Sequence, residues 1–167
     1  VIIADNLCNS KKSIIEDIKR ITKKDVKFYE IDLCNKESLN KIFTDNKIDA
    51  VIHFAGYKAV GESVSKPLMY YRNNIDSTLS LLEVMNEYGV KRIVFSSSAT
   101  VYGKPEKLPL DEGCRLSTTN PYGTTKLYIE GILKDLYVSD NEWSIAILRY
   151  FNPVGAHKSG LIGEDPN

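Results

Sequence analysis

Short apolar runs rich in β-branched residues recur along this chain, and the stretches between them carry apolar residues every three or four positions. The runs are "VIIA" (1–4), "VKFYEID" (26–32), "DAVIHFAG" (49–56), "VKRIVFSSS" (90–98) and "WSIAILRYF" (143–151), and all five read as strands. Helices are expected over 12–23, over 35–46 with Leu39, Ile42 and Phe43 on one face, and over a long stretch from about 65 to 89. In that long helix Leu68, Tyr71, Ile75, Leu79, Leu82 and Met85 fall at steps of three and four, Pro67 suits the first turn and Gly89 the end. A last helix contains Tyr122 and Lys126 and continues through Tyr128, Ile132 and Leu136. Strands alternating with helices of this length build a parallel sheet covered on both faces, the doubly wound α/β class. Ligands of such sheets sit beyond the carboxyl ends of the strands, so chemistry is to be sought there.

Composition narrows the partner. Lys plus Arg equals Asp plus Glu at 22 each, so no basic excess advertises nucleic acid or an anionic membrane, and a small molecule is the expected ligand. No apolar run approaches the roughly 18 residues of a spanning helix. Cys8, Cys34 and Cys114 are an odd number at wide spacings, which fits neither a disulfide framework nor a zinc pattern; reduced thiols in a cytoplasmic protein are expected. His53 and His157 have no companion cysteines or carboxylates at metal-ligand spacing, so both read as structural and no metal site is expected. Trp143 reads as core or rim at the entry to the last strand.

Each strand delivers polar residues to its carboxyl end. The first delivers Asp5 and Asn6; a carboxylate there can accept hydrogen bonds from both hydroxyls of an adenosine ribose, or it can simply cap a turn. Asp32 ends the second strand with the same two readings. The third runs into "FAGYK", where Gly56 permits close backbone approach to a pyrophosphate and Lys58 adds positive charge, although a loop lysine is more often only solvated. The fourth ends in three serines, poor strand formers that must each find a hydrogen-bond partner when buried; a bound sugar or cofactor could serve, and so could local turns.

Tyr122 and Lys126 lie four apart, hence one above the other on a helix face. Tyrosine ionises near pH 10 in water and is a poor base at neutral pH, but a neighbouring ammonium favours its phenolate. In an arbitrary chain such a pair is a coincidence of two solvated residues. Here it follows a serine-rich strand end in an alternating α/β pattern, which favours proton transfer, with Ser98 steering a substrate hydroxyl toward Tyr122.

The segments "DNLCNS", "VIHFAGYKAVGES", "YYRNNI", "SSSATVYG", "NPYGTTK" and "LRYFNPVGAHKSGLIGEDP" together resemble the UDP-glucose 4-epimerase family of extended short-chain dehydrogenases/reductases, over essentially the whole chain. Tyr-x-x-x-Lys marks the whole superfamily; "SSSATVYG" with the last segment points to the epimerases, and Ala99 and Thr100 stand where sister dehydratases place an acidic pair. The resemblance implies a Rossmann-like, NAD-binding doubly wound parallel sheet that acts on UDP-glucose and UDP-galactose. Tyr122 would be the general base, Lys126 its partner and nicotinamide-ribose anchor, and Ser98 and Thr100 contacts to the reacting sugar. Asp5 would hold the adenosine ribose, with Asn6, Leu7, Cys8, Asn9 and Ser10 completing its loop and Asp32 and Leu33 flanking the adenine. Phe54, Ala55, Gly56, Tyr57, Lys58 and Asn73 would line the phosphates and nicotinamide side, Lys58 also reaching substrate. Tyr150, Phe151 and Pro153 would wall the nicotinamide, and Asn152 would reach the UDP diphosphate.

The family's Gly-rich turn is expected ahead of "VIIA" and its substrate domain beyond "GEDP", so the resemblance reads this sheet as incomplete at both ends. Residues 1–152 would be a partial NAD-binding domain and 153–167 the start of a segment leading to the substrate domain. The family's first strand would lie between "VIIA" and "DAVIHFAG", and without it two strand edges stand open in mid-sheet, leaving this segment alone unstable or misassembled and inactive. A homodimer through the outer faces of the two long helices is implied for the complete enzyme. Two other readings stay open: another enzyme acting on a UDP-sugar, such as a UDP-glucuronate epimerase or decarboxylase, and a non-catalytic cofactor-binding sensor.

Overall fold

In the computed structural model, which describes residues 1–163, all five expected strands form. The last residues of the 153–167 segment therefore lie outside the described residues. Strand β1 (Ile2–Asp5) pairs in parallel with β2 (Lys27–Glu30), and β3 (Val51–His53), β4 (Arg92–Ser98) and β5 (Ser144–Tyr150) form a second parallel group in that order. Register aligns His53 with Phe95 and Ile147, and Ser98 with Tyr150. Successive strand side chains point to opposite faces. His53, Ile93, Phe95 and Ser97 are accordingly buried, whereas Ile52 on the other face is 63% exposed.

The connections are α1 (Ile14–Thr22), α2 (Lys36–Asp45), a composite helical region between β3 and β4, and α6 (Pro121–Ser139). Asn35 caps α2 by accepting from the Ser38 N–H at 3.1 Å. Leu39, Ile42 and Phe43 of α2, the three residues expected on one face, join Leu81, Leu82, Met85, Ile93, Phe95, Ile129, Leu133 and Trp143 in one core, and Ile2, Ala4 and Tyr29 pack against it from the other strand pair. Helix α2 thus ties the two strand groups together. Among the described residues β1 and β3 share no ladder; both flank a cleft of about 890 Å³.

The single long helix expected from residue 65 is instead α4 (Pro67–Tyr71), a π-helical turn (Arg72–Asp76) and α5 (Ser77–Glu87), preceded by a short α3 (Val60–Ser65) that the pattern did not reveal. A π turn admits an extra residue and rotates one flanking helix against the other. The face read as core is therefore split: Leu82 and Met85 are buried, but Leu68 is 78% and Leu79 40% exposed, and Tyr70, Asn74 and Thr78 turn inward. In α6 the buried stripe is Thr125, Lys126, Ile129, Glu130 and Leu133, while Tyr128 is exposed. Among the described residues no helix is long and apolar enough to cross a membrane.

Candidate active site

Helix α6 starts where local chemistry dictates. Pro121 occupies its first turn and the Asn120 side chain accepts the Gly123 N–H at 2.8 Å. Gly123 lies so close to the 3-10 turn Ala99–Tyr102 that a Cβ there would come within 3.1 Å of the Thr100 carbonyl oxygen. This approach sets the first turn of α6, with Tyr122, against the end of β4. Lys126 follows one turn later and its Nζ lies 5.9 Å from the Tyr122 ring centroid, within reach of a cation–π contact. The pair therefore shares one face, and that face meets the triple serine.

Ser97 and Ser98 are engaged through their hydroxyls and Ser96 through its backbone carbonyl. The Ser96 carbonyl accepts from Lys126 Nζ at 2.8 Å, Ser97 Oγ donates to Glu130 Oε1 at 2.6 Å, and Ser98 Oγ accepts from the Thr100 N–H and hydroxyl at 3.2 and 2.9 Å. Lys126 is 5% exposed, with the Phe95 ring centroid 4.9 Å from Nζ, and this burial pushes its pKa down to about 8. It remains cationic at neutral pH.

Beside it His53 is buried, and burial, helped by the Lys126 charge, pushes its pKa down to about 3. Its Nε2 is 2.9 Å from Thr78 Oγ1, whose own proton goes to the Asn74 carbonyl at 2.7 Å. Nε2 is thus assigned as the donor and His53 as a neutral core residue.

Asn74, in the π turn, joins helix α6 to the loop after β3. Its Oδ1 accepts the Tyr57 N–H at 2.8 Å, and its Nδ2 donates to the Tyr57 carbonyl and to Thr125 Oγ1 at 3.0 and 3.1 Å. Gly56, at φ +145°, packs onto that amide: a Cβ would meet Asn74 Oδ1 at 3.1 Å.

The cleft between β1 and β3 gathers Asp5, Asn6, Cys8, Asn9, Asp32, Leu33, Phe54, Ala55, Gly56, Tyr57, Lys58 and Asn73. Leu7 and Ser10 serve its rim from behind: Asp5 Oδ1 accepts the Leu7 N–H at 2.6 Å and the Ser10 hydroxyl at 3.0 Å, and Asp32 Oδ1 accepts the Cys34 N–H at 2.8 Å. Both aspartates therefore make the turn bonds their sequence context allowed while also facing the cleft. Burial, then Asp32, pushes the Cys34 thiol up to about 11, and burial and Asp5 raise that of Cys8, so neither is poised as a nucleophile.

The two regions approach each other on the uncovered sheet face, where the rings of Phe54 and Tyr150 are 6.5 Å apart. Phe151, Asn152 and Pro153 are exposed beyond the end of β5 and are not brought to the cleft.

Asn74 was absent from the sequence reading, and so were two further residues that complete the site. Glu130, fully buried, takes a bidentate ion pair from Arg149 at 2.9 and 2.7 Å, and Arg149 Nη1 donates to Tyr102 Oη at 3.0 Å. Burial alone would raise the Glu130 pKa, but the bonds from Arg149 and Ser97 outweigh it and hold the carboxyl below its ordinary range. The clue was the spacing: Glu130 lies four residues after Lys126 and eight after Tyr122, on the same helical face.

Parallel α/β strands whose carboxyl ends carry polar loops and a Tyr–Lys pair place this chain among the Rossmann-like proteins. Its sequence matches the NAD dependent epimerase/dehydratase family over residues 1–164, and it belongs to that family. It is 59% identical over 167 residues to UDP-glucose 4-epimerase of Bacillus subtilis, covering all of this chain and 49% of that protein, and 58% identical over 165 residues to the enzyme of Dictyostelium discoideum, covering 99% and 48%. Among solved structures it matches UDP-glucose 4-epimerase of Bifidobacterium longum in complex with NAD+ and UDP with a TM-score of 0.98 (56% identity, 99% of this chain, 50% of that one). The Stenotrophomonas maltophila enzyme with bound NAD and formylated UDP-arabinopyranose gives 0.97 (46% identity, 100% and 50%). The chain spans about half the length of the relatives it matches.

Proposed function

We propose that this chain supplies the cofactor-binding and acid–base part of a UDP-glucose 4-epimerase, interconverting UDP-glucose and UDP-galactose through transient oxidation at sugar carbon 4. The observation that carries this reading is the meeting of Tyr122, Lys126 and the Ser98–Thr100 turn at the carboxyl end of β4.

The polar rim of the cleft, beyond the strand ends, fits NAD in chemistry. Asp5 and Asp32 offer carboxylates for ribose and adenine edges, Gly56 an unobstructed backbone, and Lys58 a cation for phosphate. Bound there, NAD would supply the transient oxidation and re-reduction of carbon 4. Tyr122 takes the proton of the 4-hydroxyl and later returns it, Ser98 and Thr100 orient that hydroxyl, and Lys126 keeps a positive charge against the Tyr122 ring. Tyr150, Phe151 and Pro153 would wall the nicotinamide side and Asn152 would hold the UDP diphosphate. Residues 1–152 then act as the NAD-binding domain, and 153–167 lead toward the substrate domain.

We assign the working protein as a cytoplasmic homodimer of galactose metabolism. Leu68, Leu79, Tyr128, Tyr137 and Val138 leave an exposed apolar surface on α4, α5 and α6, with Tyr71 and Tyr128 stacked at 6.2 Å, and a second copy would cover it. The test of the enzymatic reading is Tyr122→Phe in the full-length protein. Turnover should fall by about 10²–10⁴-fold with NAD still bound; retained activity removes Tyr122 from the mechanism.

A further inference from the structure

The catalytic face of α6 carries a hazard. Lys126 and Glu130 are four residues apart on one helix, a spacing at which lysine and glutamate side chains reach each other, and both are buried. Opposite charges in a buried i,i+4 pair should join. Among the described residues Lys126 nevertheless makes no ion pair: its Nζ sits on the Ser96 carbonyl at 2.8 Å, facing Tyr122. Both carboxylate oxygens of Glu130 are taken elsewhere, by Arg149 Nε and Nη2 at 2.9 and 2.7 Å and by Ser97 Oγ at 2.6 Å, with Lys134 Nζ at 3.9 Å. Arg149 is fixed in turn by Tyr102, through a 3.0 Å hydrogen bond and a ring contact at 4.9 Å.

We propose that Arg149 is a positioning residue for catalysis: by clamping Glu130 it keeps that carboxylate off Lys126, so that the lysine stays on Ser96 and against Tyr122. A planar guanidinium suits this task because its fork satisfies both carboxylate oxygens at once and leaves a further N–H for Tyr102, which a lysine cannot do. The other ionisable groups facing Lys126 are Tyr122 on its own helix and His53 on β3, which is neutral. Glu130, one turn further along the same buried face, is the carboxylate that helical spacing puts within side-chain reach of it once released. This inference rests on the proposed role of Tyr122 and Lys126, and it makes a statement that role does not contain: the charge state and placement of Lys126 depend on a side chain on β5.

The test uses the full-length protein and reads Lys126 directly, through the pH dependence of its 13Cε chemical shift, beside steady-state kinetics. With Arg149→Met, freed Glu130 should draw in Lys126. Its titration midpoint should rise by at least one pH unit, and kcat should fall 10- to 100-fold while KM for the sugar nucleotide changes less than threefold. Glu130→Gln/Arg149→Met keeps an oxygen for Ser97 but removes the stray charge, and should return the midpoint to the wild-type value and recover at least tenfold of kcat. An unmoved midpoint in Arg149→Met, or a double variant no better than the single, overturns the proposal. Should Arg149→Met fail to fold, the double variant decides alone, since a raised Lys126 midpoint in the absence of both charges contradicts it. The midpoint is read without turnover, so an inactive wild-type protein would refute the epimerase reading while the titration still judged Arg149.

Discussion

Replacing Lys126 by methionine should abolish activity and yet make the protein more stable at neutral pH. Burial lowers the pKa of Lys126 from the ordinary 10.5 to about 8. At about 1.4 kcal/mol per unit, holding this lysine charged in the folded state costs roughly 3 kcal/mol relative to the unfolded chain. Methionine fills a similar volume and gives Phe95 a sulfur contact, but leaves the Ser96 carbonyl without its donor, a loss of about 1–2 kcal/mol. The net expectation at pH 7 is a gain of about 1–2 kcal/mol.

The sign of the pH dependence follows from linkage. The folded pKa lies below the unfolded one, so between them the unfolded chain binds more protons and wild-type stability rises with pH. The cost is fully present below pH 8, shrinks as pH climbs through the folded pKa, and is gone above about 10.5. Urea melts of wild type and Lys126→Met in the full-length protein, at pH 7 and pH 10, measure this directly. The stability difference should move against the variant by about 2.5 kcal/mol between the two, so that its advantage at pH 7 is gone or reversed at pH 10. A variant no more stable than wild type at pH 7, or a gap indifferent to pH, would refute the account of Lys126 as a strained, functionally retained cation.

Three further outcomes are expected. Asn74→Ala strips partners from the Tyr57 backbone and from Thr125, and should destabilise by about 2–4 kcal/mol in denaturant melts and weaken NAD binding measured by calorimetry. Gly103 has φ +60°, and a Cβ there would overlap the Ser117 carbonyl oxygen, so Gly103→Ala should cost about 3 kcal/mol or more; an unchanged melting temperature contradicts that geometry. The 167-residue chain in isolation, with its cleft open between β1 and β3, should show no epimerase activity; stoichiometric NAD binding with cooperative melting would count against that expectation.

The fold class was legible because its signals are local. The β-branched runs and helical periods depend only on chain geometry, and every expected strand formed within a few residues of its reading. The Tyr122–Lys126 pair was legible for the same reason: four residues on a helix is one turn wherever the helix lies. The third strand was overestimated, ending at His53 because Gly56 already turns the chain with φ +145°. The long helix misled, since apolar periodicity assigned Leu68 and Leu79 to a core they do not enter.

The sequence by itself determined which elements exist and which helix face bears the tyrosine and lysine. Only the tertiary structure decided which polar residues go inside. Asn74, Thr78, Glu130 and Ser97 are buried, against their hydropathy, because partners 17 to 51 residues away satisfy them: Tyr57, His53, Arg149 and Thr125. Hydrogen bonds and ion pairs cancel the desolvation cost of a polar group only when donor and acceptor meet in space, and sequence spacing says nothing about that once the chain has crossed from one strand to the next.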